Sequence, residues 1–250
     1  MTDPHKLYVC GVDFVPERVE SFDVYPFTIP AIRSFRTLTI DSPVTMFVGE
    51  NGSGKSTLLE AIAVAWGFNP EGGTRNFRFK TRESHSELHE YLRLSHGSKP
   101  LKYADGFFFR AESFFNVATE IDRLGVVAHY GSRSLHERSH GEAFLELVLE
   151  RFGGGGFYIL DEPESALSPQ RQLAFLALIH RLVQWQSQFI IATHSPILLG
   201  YPGAKILRFD ADGITPIEYE QTEHFQVTRA FLTRRESMLR EVLGQEEDAG

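Results

Sequence analysis

The sequence predicts an α/β fold with a mostly parallel central sheet flanked by helices, an N-terminal antiparallel β portion and a small helical insertion. Three observations support this prediction. An apolar segment at residues 44–48 leads through a glycine-rich loop into a helical pattern. A second apolar run, at 157–160, ends in two carboxylates, and a third, at 188–193, follows a long helical pattern. Unbroken apolar runs are typical of strands buried on both faces, and their alternation with helices indicates the α/β class.

The first part of the chain predicts short extended segments. Residues 7–15 form a first strand, and the proline- and aromatic-rich stretch after it wraps the edge of the sheet. Residues 29–40 form two short extended pieces, of which the second alternates apolar and polar residues. A turn at 41–43 then leads into the strand at 44–48.

The middle of the chain, residues 68–142, is the predicted insertion within a single domain that spans residues 1–250. We expect a helix at 84–95, a strand at 107–110 and a helix near 114–124. Residues 75–82 interleave four basic residues with two phenylalanines. Such a segment can contact nucleic acid, but period-2 alternation alone also produces a surface strand, which is the favoured interpretation.

The second half predicts the rest of the sheet. A helix begins near 139 and ends near 152, before a four-glycine turn. Ser168 and Pro169 are typical of an N-cap and a first helical position. The helix that they begin is apolar on most faces, so we expect it to be sandwiched. The remaining elements are a helix at 170–185, a strand at 188–193, a hairpin at 205–219 and amphipathic helices after 222.

Composition narrows the class of protein. The chain has 250 residues, 42% of them hydrophobic, and no apolar run approaches the roughly 20 residues that span a bilayer. The first six residues lack an apolar signal core, so we expect a cytoplasmic protein without membrane insertion of its own. The single Cys10 excludes an internal disulfide framework and a cysteine-based zinc site. A net charge of −8 disfavours a surface that coats nucleic acid.

The glycine-rich loop at 49–57 has the pattern G-x-x-x-x-G-K-S, the phosphate-binding P-loop. Its glycines let backbone N–H groups approach phosphate oxygens. The Lys55 ammonium can reach the β- and γ-phosphates, the Ser56 hydroxyl can bind Mg²⁺, and Thr57 can donate to the α-phosphate. The predicted nucleotide-binding residues here are Gly49, Asn51, Gly52, Ser53, Gly54, Lys55, Ser56 and Thr57.

A second group of polar residues follows the buried strands. Asp161 ends one strand and can hold Mg²⁺, while Glu162 can orient an attacking water. His194 ends another strand at the same predicted sheet edge, where ligands bind in open α/β sheets. Each has an ordinary alternative: an acidic cluster before a helix for the carboxylates, and a capped strand end for the histidine.

The order of these motifs resembles the ATP-binding-cassette (ABC) class of P-loop ATPases. Within that class it is most similar to small stand-alone ATPases related to the RecF, Rad50 and SMC branch. The resemblance spans residues 29–210 and is carried by the segments 32–35, 49–57, 139–142, 158–163, 165–167 and 193–196.

The resemblance implies a division of roles. Lys55 and the loop amides bind phosphates, Ser56 and Asp161 bind Mg²⁺, Glu162 is the general base or the residue that polarises the attacking water, and His194 senses the γ-phosphate. Ser139 and Gly141 would contact the ATP held by a second copy, so that two ATP molecules lie between two head-to-tail subunits. Residues 165–167 would carry signals across that interface, and Arg33 and Ser34 would lie near the nucleotide.

The chain departs from the family pattern at two places. The signature segment has His140 where a glycine is usual, and its Ser-x-x-Glu spacing is also an ordinary helix capping box. Both readings hold together, since a capped helix N-terminus binds anions. No glutamine occurs between residues 1 and 169. Glu112 is the candidate substitute for the family's loop glutamine, and an ordinary solvated acid is the alternative.

The sequence thus predicts a soluble ATPase that uses ATP and Mg²⁺ and forms a homodimer on ATP binding. Two alternatives remain open: the ATP-binding subunit of a membrane transporter, and an ATP-gated module for DNA maintenance or defence. A nucleic-acid or protein partner is therefore unresolved at this stage. A GTPase is disfavoured, because we find no Asn-Lys-x-Asp motif.

Overall fold

The computed structural model describes residues 7–74, 86–97, 105–111, 144 and 148–244. The strands are β1 (Val9–Phe14), β2 (Thr37–Thr39), β3 (Val44–Gly49), β4 (Leu92–His96), β5 (Asp105–Arg110), β6 (Gly156–Asp161), β7 (Gln188–Ala192), β8 (Lys205–Asp210) and β9 (Gly213–Pro216). The α-helices are α1 (Pro30–Ser34), α2 (Lys55–Trp66), α3 (Pro169–Gln184), α4 (Pro196–Leu199), α5 (Glu223–Thr233) and α6 (Arg235–Leu243). Short 3₁₀ turns lie at Pro16–Arg18, Glu87–Tyr91, Pro163–Ala166 and Tyr219–Gln221.

Two sheets organise these elements. The larger sheet has six strands in the order β5-β6-β7-β3-β8-β9, and all its pairs are parallel except the β8–β9 hairpin. The smaller sheet is antiparallel, in the order β2-β1-β4. The predicted α/β class, the mostly parallel central sheet and the N-terminal antiparallel portion are therefore confirmed.

The six-stranded sheet is buried on both faces. Along β3, Met46 and Val48 pack into the cluster that includes α3, whereas Phe47 packs into the cluster that includes α2 and the smaller sheet. Strand β6 alternates in the same way. This two-sided burial explains why both strands are apolar without a polar alternation. Because β3 and β6 each pair in parallel with β7, their carboxyl ends lie at one sheet edge.

The predicted extended conformation is wrong for the first of the two segments in residues 29–40. Residues Pro30–Ser34 form the short helix α1, with Pro30 at its first position. Proline fixes φ near the helical value and has no N–H to satisfy at that position. The N–H groups of Ile32 and Arg33 both donate to the carbonyl of Ile29. The second extended piece is confirmed as β2.

The helix predicted at 84–95 is also wrong over its described residues. The 3₁₀ turn Glu87–Tyr91, capped by the Ser86 hydroxyl, leads into β4. Leu94 of β4 pairs with Val12 of β1. The pairing joins segments about 80 residues apart in the chain, so tertiary contacts override the local helical pattern.

Helix α3 is where the sequence predicts it, but it is not sandwiched. Only one face is buried, through Phe175, Ile179 and their neighbours, whereas Leu173 is 54% exposed. Within the described residues, no helix is both long and apolar enough to cross a membrane.

The predicted insertion at 68–142 contributes β4 and β5 to the two sheets. The helix predicted near 114–124 and the strand at 75–82 lie outside the described residues. Of the helix predicted at 139–152, residue 144 and residues 148–151 are described and are helical. The single-domain boundary at 1–250 stays a prediction.

Candidate active site

The glycine-rich loop joins β3 to α2, as the sequence predicts. Gly49, Gly52 and Gly54 all have positive φ, at 150°, 80° and 101°. A Cβ on Gly49 would lie 2.3 Å from the carbonyl oxygen of Phe209, and one on Gly54 would lie 3.0 Å from Cγ2 of Ile29. Side chains at these two positions would therefore force the loop away from β8 and from the start of α1.

Lys55 closes the loop onto itself. Its Nζ donates to the carbonyl oxygens of Gly49 (2.7 Å) and Glu50 (2.8 Å). Burial lowers the pKa of this ammonium, and the nearby carboxylates of Glu162 and Asp161 partly oppose that shift. The cation is therefore held over the loop, in the place where a phosphate chain would meet the first residues of α2.

Ser56 contacts the end of β6. Its hydroxyl donates to Oδ1 of Asp161 over 2.9 Å. Hydroxyl and carboxylate oxygens are ligands that Mg²⁺ accepts, and Mg²⁺ usually takes its other ligands from phosphates and water. The pair fits such an ion. In the described part of the chain, no group of three or more His, Cys, Asp or Glu residues forms an all-protein metal site.

Glu162, directly after β6, has a left-handed backbone at φ 51° and ψ 51°. This conformation is uncommon for a residue with a side chain and persists only where its surroundings hold it. The Glu162 N–H donates to the carbonyl of Ala192 at 2.9 Å, and its carbonyl accepts from the Ser165 hydroxyl at 2.9 Å. The side chain remains 44% exposed, so its carboxylate is open to solvent.

His194 follows β7 and lies beside Glu162. Its Nε2 is 3.8 Å from Oε1 of Glu162. Its backbone N–H donates to Oε1 of Glu164 over 2.6 Å, and burial raises the pKa of that carboxyl. Burial, together with the nearby charge of Lys55, lowers the pKa of the His194 imidazole, which favours a neutral ring at neutral pH.

The structure brings together five of the predicted site residues. Lys55 and Ser56 at the start of α2 lie with Asp161, Glu162 and His194 at the carboxyl ends of two adjacent strands. The strands β6 and β7 are neighbours, and Asp161 pairs with Ala192. This edge is where an open α/β sheet binds its ligands.

Helix α1 packs against the loop, but its predicted residues have other contacts. The Arg33 guanidinium lies 5.4 Å from the ring centroid of Phe22. The Ser34 hydroxyl donates to the carbonyl of Ala31 over 3.4 Å. Nucleotide contacts by Arg33 and Ser34 stay predictions. Asn51 and Ser53 lie in the loop, and their phosphate contacts stay predictions as well.

Several predicted residues lie outside the described part of the chain. They are Ser139, His140, Gly141 and Glu142 of the signature segment, Glu112, and the basic segment 75–82.

Besides Glu164, the site includes the side chains of Tyr25 and His224, which were not predicted from the sequence. Tyr25, which is 64% exposed, places its hydroxyl 3.2 Å from Oγ1 of Thr57. His224, in the first turn of α5, places Nε2 at 2.9 Å from Nδ1 of His194. No local pattern marks either residue, because both contacts depend on how distant segments dock.

The fold and the site together define a P-loop ATPase domain of the AAA/ABC type. An AAA domain family matches residues 27–151, which is 125 of the 250 residues, and the chain belongs to that family. A second AAA domain family, whose description adds an AbiEii toxin and a type IV toxin–antitoxin system, matches residues 142–200.

Curated relatives are ATP-binding proteins. The chain is 26% identical over 199 residues to the energy-coupling factor transporter ATP-binding protein EcfA2 of Spiroplasma kunkelii, covering 68% of this chain and 62% of that protein. It is 25% identical over 190 residues to an uncharacterized ABC transporter ATP-binding protein of Haemophilus influenzae, covering 68% and 71%. The chain thus spans less than two thirds of the length of the first relative.

Solved structures with a similar chain path include cbiO1 from Clostridium perfringens, part of the ABC transporter complex cbiONQ. The TM-score is 0.46 at 18% identity, covering 82% of this chain and 90% of that one. The ADP conformation of MJ1267, an ATP-binding cassette of an ABC transporter, gives 0.43 at 16% identity, covering 84% and 91%.

Proposed function

We propose that this chain binds Mg·ATP and hydrolyses it as a homodimer in the cytoplasm. One observation carries the proposal: the P-loop serine contacts the carboxylate at the end of β6, with Glu162 and His194 beside it. A phosphate-binding loop by itself indicates only that the protein binds a nucleotide. The added carboxylate and imidazole are the groups that in-line attack by water on a γ-phosphate needs.

Each side chain of the site has a separate role in the proposed reaction. The loop amides and Lys55 bind the phosphates, and Ser56 and Asp161 would hold Mg²⁺, which neutralises phosphate charge when it is bound. The exposed carboxylate of Glu162 accepts a hydrogen bond from the attacking water and orients it. His194 donates to the γ-phosphate through Nε2. Most of the catalytic effect then comes from positioning and from charge stabilisation.

The exposure of the site supports the proposal that a second subunit covers it in the active state. The side chains of Glu162 and His194 remain 44% and 30% exposed, and water in an open site weakens the electrostatic interactions with a bound phosphate. We propose that Ser139 and Gly141 of a second copy cover this face. Their helix N-terminus would supply further N–H donors to the phosphate.

The adenine base of ATP would pack against an aromatic or cationic surface beside the P-loop. Tyr25 is exposed and its hydroxyl lies next to Thr57. Stacking on an aromatic face accepts any base, so this contact contributes affinity without selecting adenine. The preference for adenine remains an expectation from the family.

The test is phosphate release from Mg·ATP by the purified full chain. We expect slow turnover that requires Mg²⁺ and is abolished by Lys55→Ala. Lys205→Ala is the matched control, because it removes an ammonium paired with Asp41 at the far end of β8. Equal activity of the two variants, or activity that does not need Mg²⁺, would refute the proposal.

The curated relatives favour a second candidate, the ATP-binding subunit of a membrane transporter. Such a subunit would work at the cytoplasmic face with a separate membrane-spanning partner. The two candidate functions differ in the partner that stays bound to the protein in its ATP-bound state. Glu162→Gln, which lacks the carboxylate that orients water, should retain bound ATP. Copurification of a multi-span membrane protein with this variant from detergent-solubilised membranes in Mg·ATP would support the transporter role, whereas a homodimer alone would support the stand-alone ATPase.

A further inference from the structure

His224 lies outside the predicted machinery, and its ring contacts the ring of His194 directly. His224 lies in the first turn of α5, 30 residues after His194, and its Nε2 is 2.9 Å from His194 Nδ1. The two ring centroids are 5.1 Å apart. An N···N contact of this length between imidazoles is a hydrogen bond, so one ring must donate and the other must accept.

The position of His224 is fixed by the elements around it. The buried hydroxyl of Thr222 accepts from the N–H of Phe225 over 3.4 Å and caps α5. Tyr219 donates to the carbonyl of Pro196 over 2.9 Å, and its ring packs on Phe225 at 4.7 Å. Because Pro196 begins α4 two residues after His194, the start of α5 and the His194 segment are held together.

The direction of the hydrogen bond decides what His194 can do. If His194 donates from Nδ1, its Nε2 carries a lone pair that faces the Glu162 carboxylate at 3.8 Å, which is repulsive. The buried Nδ1–H of His224 would then have no acceptor, since Nδ1 of His224 has no hydrogen-bond partner among the described residues. If His224 donates instead, Nε2–H of His194 faces the carboxylate at 3.8 Å, which is too long for a hydrogen bond, and Nδ1 of His224 is left with an unpaired lone pair. Each arrangement leaves one buried N–H and one lone pair unpaired, so the facing carboxylate decides between them. The second arrangement replaces a repulsive contact with an attractive one and therefore costs less.

We infer that His224 is a positioning residue that holds His194 in the tautomer with its proton on Nε2, ready to donate to the γ-phosphate. The inference rests on the proposed function, since it concerns the same site. Burial is the largest cause that lowers the pKa of both rings, so both imidazoles are neutral at neutral pH. Outer hydrogen bonds of this kind set the tautomer of functional histidines.

The first test does not involve ATP. Long-range ¹H–¹⁵N NMR of the histidine rings in the full chain distinguishes a protonated ring nitrogen from a bare one. In the parent protein we expect His194 to carry its proton on Nε2, and in His224→Phe we expect a mixture of tautomers. Gln226→Ala, an exposed change on the same helix, should leave the spectrum unchanged. A proton on Nδ1 of His194 in the parent would overturn the inference.

The second test separates positioning from a structural role. His224→Gln retains an N–H donor near the Nε2 position, whereas His224→Phe keeps a ring without a donor. We expect His224→Phe to lower kcat for ATP about fivefold, the effect of losing one neutral hydrogen bond, with KM unchanged. His224→Gln should recover most of that loss. Equal kcat values for the two variants would overturn the inference. A parent without ATPase activity would instead refute the proposed function, and the NMR result would still report the tautomer.

Discussion

The Ser56 hydroxyl donates to Asp161 Oδ1 over 2.9 Å, although the two residues are 105 positions apart in the chain. The contact joins the first turn of α2 to the last residue of β6. It therefore links the phosphate-binding loop to the strand end that carries the remaining polar groups. Both oxygens suit Mg²⁺, so the pair is the candidate metal-binding part of the site.

The first prediction concerns this pair. Ser56→Ala and Asp161→Asn should each weaken Mg·ATP binding at least about tenfold, because each removes a proposed metal ligand. Affinity for ATP in EDTA should change little, since the loop amides and Lys55 remain. Calorimetry with and without Mg²⁺ measures both quantities. If both variants keep the full gain in affinity from Mg²⁺, the pair does not bind the metal.

The second prediction concerns two loop glycines with different surroundings. Gly52 has φ 80° with nothing near its Cβ position, whereas a Cβ on Gly54 would lie 3.0 Å from Ile29 and 3.3 Å from Ile32. Gly52→Ala should cost roughly 1–2 kcal/mol of backbone strain. Gly54→Ala adds a steric contact, so we expect about 1 kcal/mol more. Urea unfolding of both variants tests the difference, and equal losses would contradict the packing of α1 on the loop.

The third prediction follows from the two histidines. The pKa values of His194 and His224 are both lowered from 6.5, first by burial. The native state therefore binds fewer protons than the unfolded chain below that pH. The pair's stabilising contribution is fully present above pH 6.5 and is lost as the pH falls through the native pKa values. The charged groups that act on the two rings are Lys55, Glu50, Glu162 and Glu223.

The measurement is the free energy of unfolding from pH 7.5 to roughly pH 5, in the parent and in His224→Gln. The variant should lose less stability on acidification, since it lacks one of the two rings. Burial raises the pKa of Glu164, so this carboxyl works in the opposite direction. Both proteins keep Glu164, and its contribution largely cancels in the comparison. Parallel pH curves would show that the pair does not affect stability.

Local patterns predicted the parts of the site that are themselves local. The glycine-rich loop lies between a strand and a helix because its glycines permit positive φ there. Asp161 and His194 follow unbroken apolar strands, and strands in a parallel sheet end at one edge. The sequence alone therefore predicted that these residues lie close together, because the carboxyl ends of parallel strands meet at one sheet edge.

The residues that depend on distant contacts could not be found in this way. The amphipathic tail predicts α5, but no pattern states where its first turn docks, and so His224 was missed. Tyr25 was missed for the same reason. The local pattern at 84–95 predicts a helix, but β4 forms there because it pairs with β1, which lies far away in the chain. In each case the deciding contact forms only in the folded chain.

The fourth prediction tests the proposed mechanism most directly. Glu162→Gln keeps the side-chain shape but removes the carboxylate that orients water, so ATP should stay bound and hold two copies together. Glu162→Gln/Lys55→Ala, which also loses the phosphate-binding ammonium, is the control and should remain monomeric. The measurement is light scattering of Glu162→Gln in Mg·ATP. Our account predicts a shift from the 28.3 kDa monomer to twice that mass, and a sample that remains monomeric at saturating ATP would contradict it.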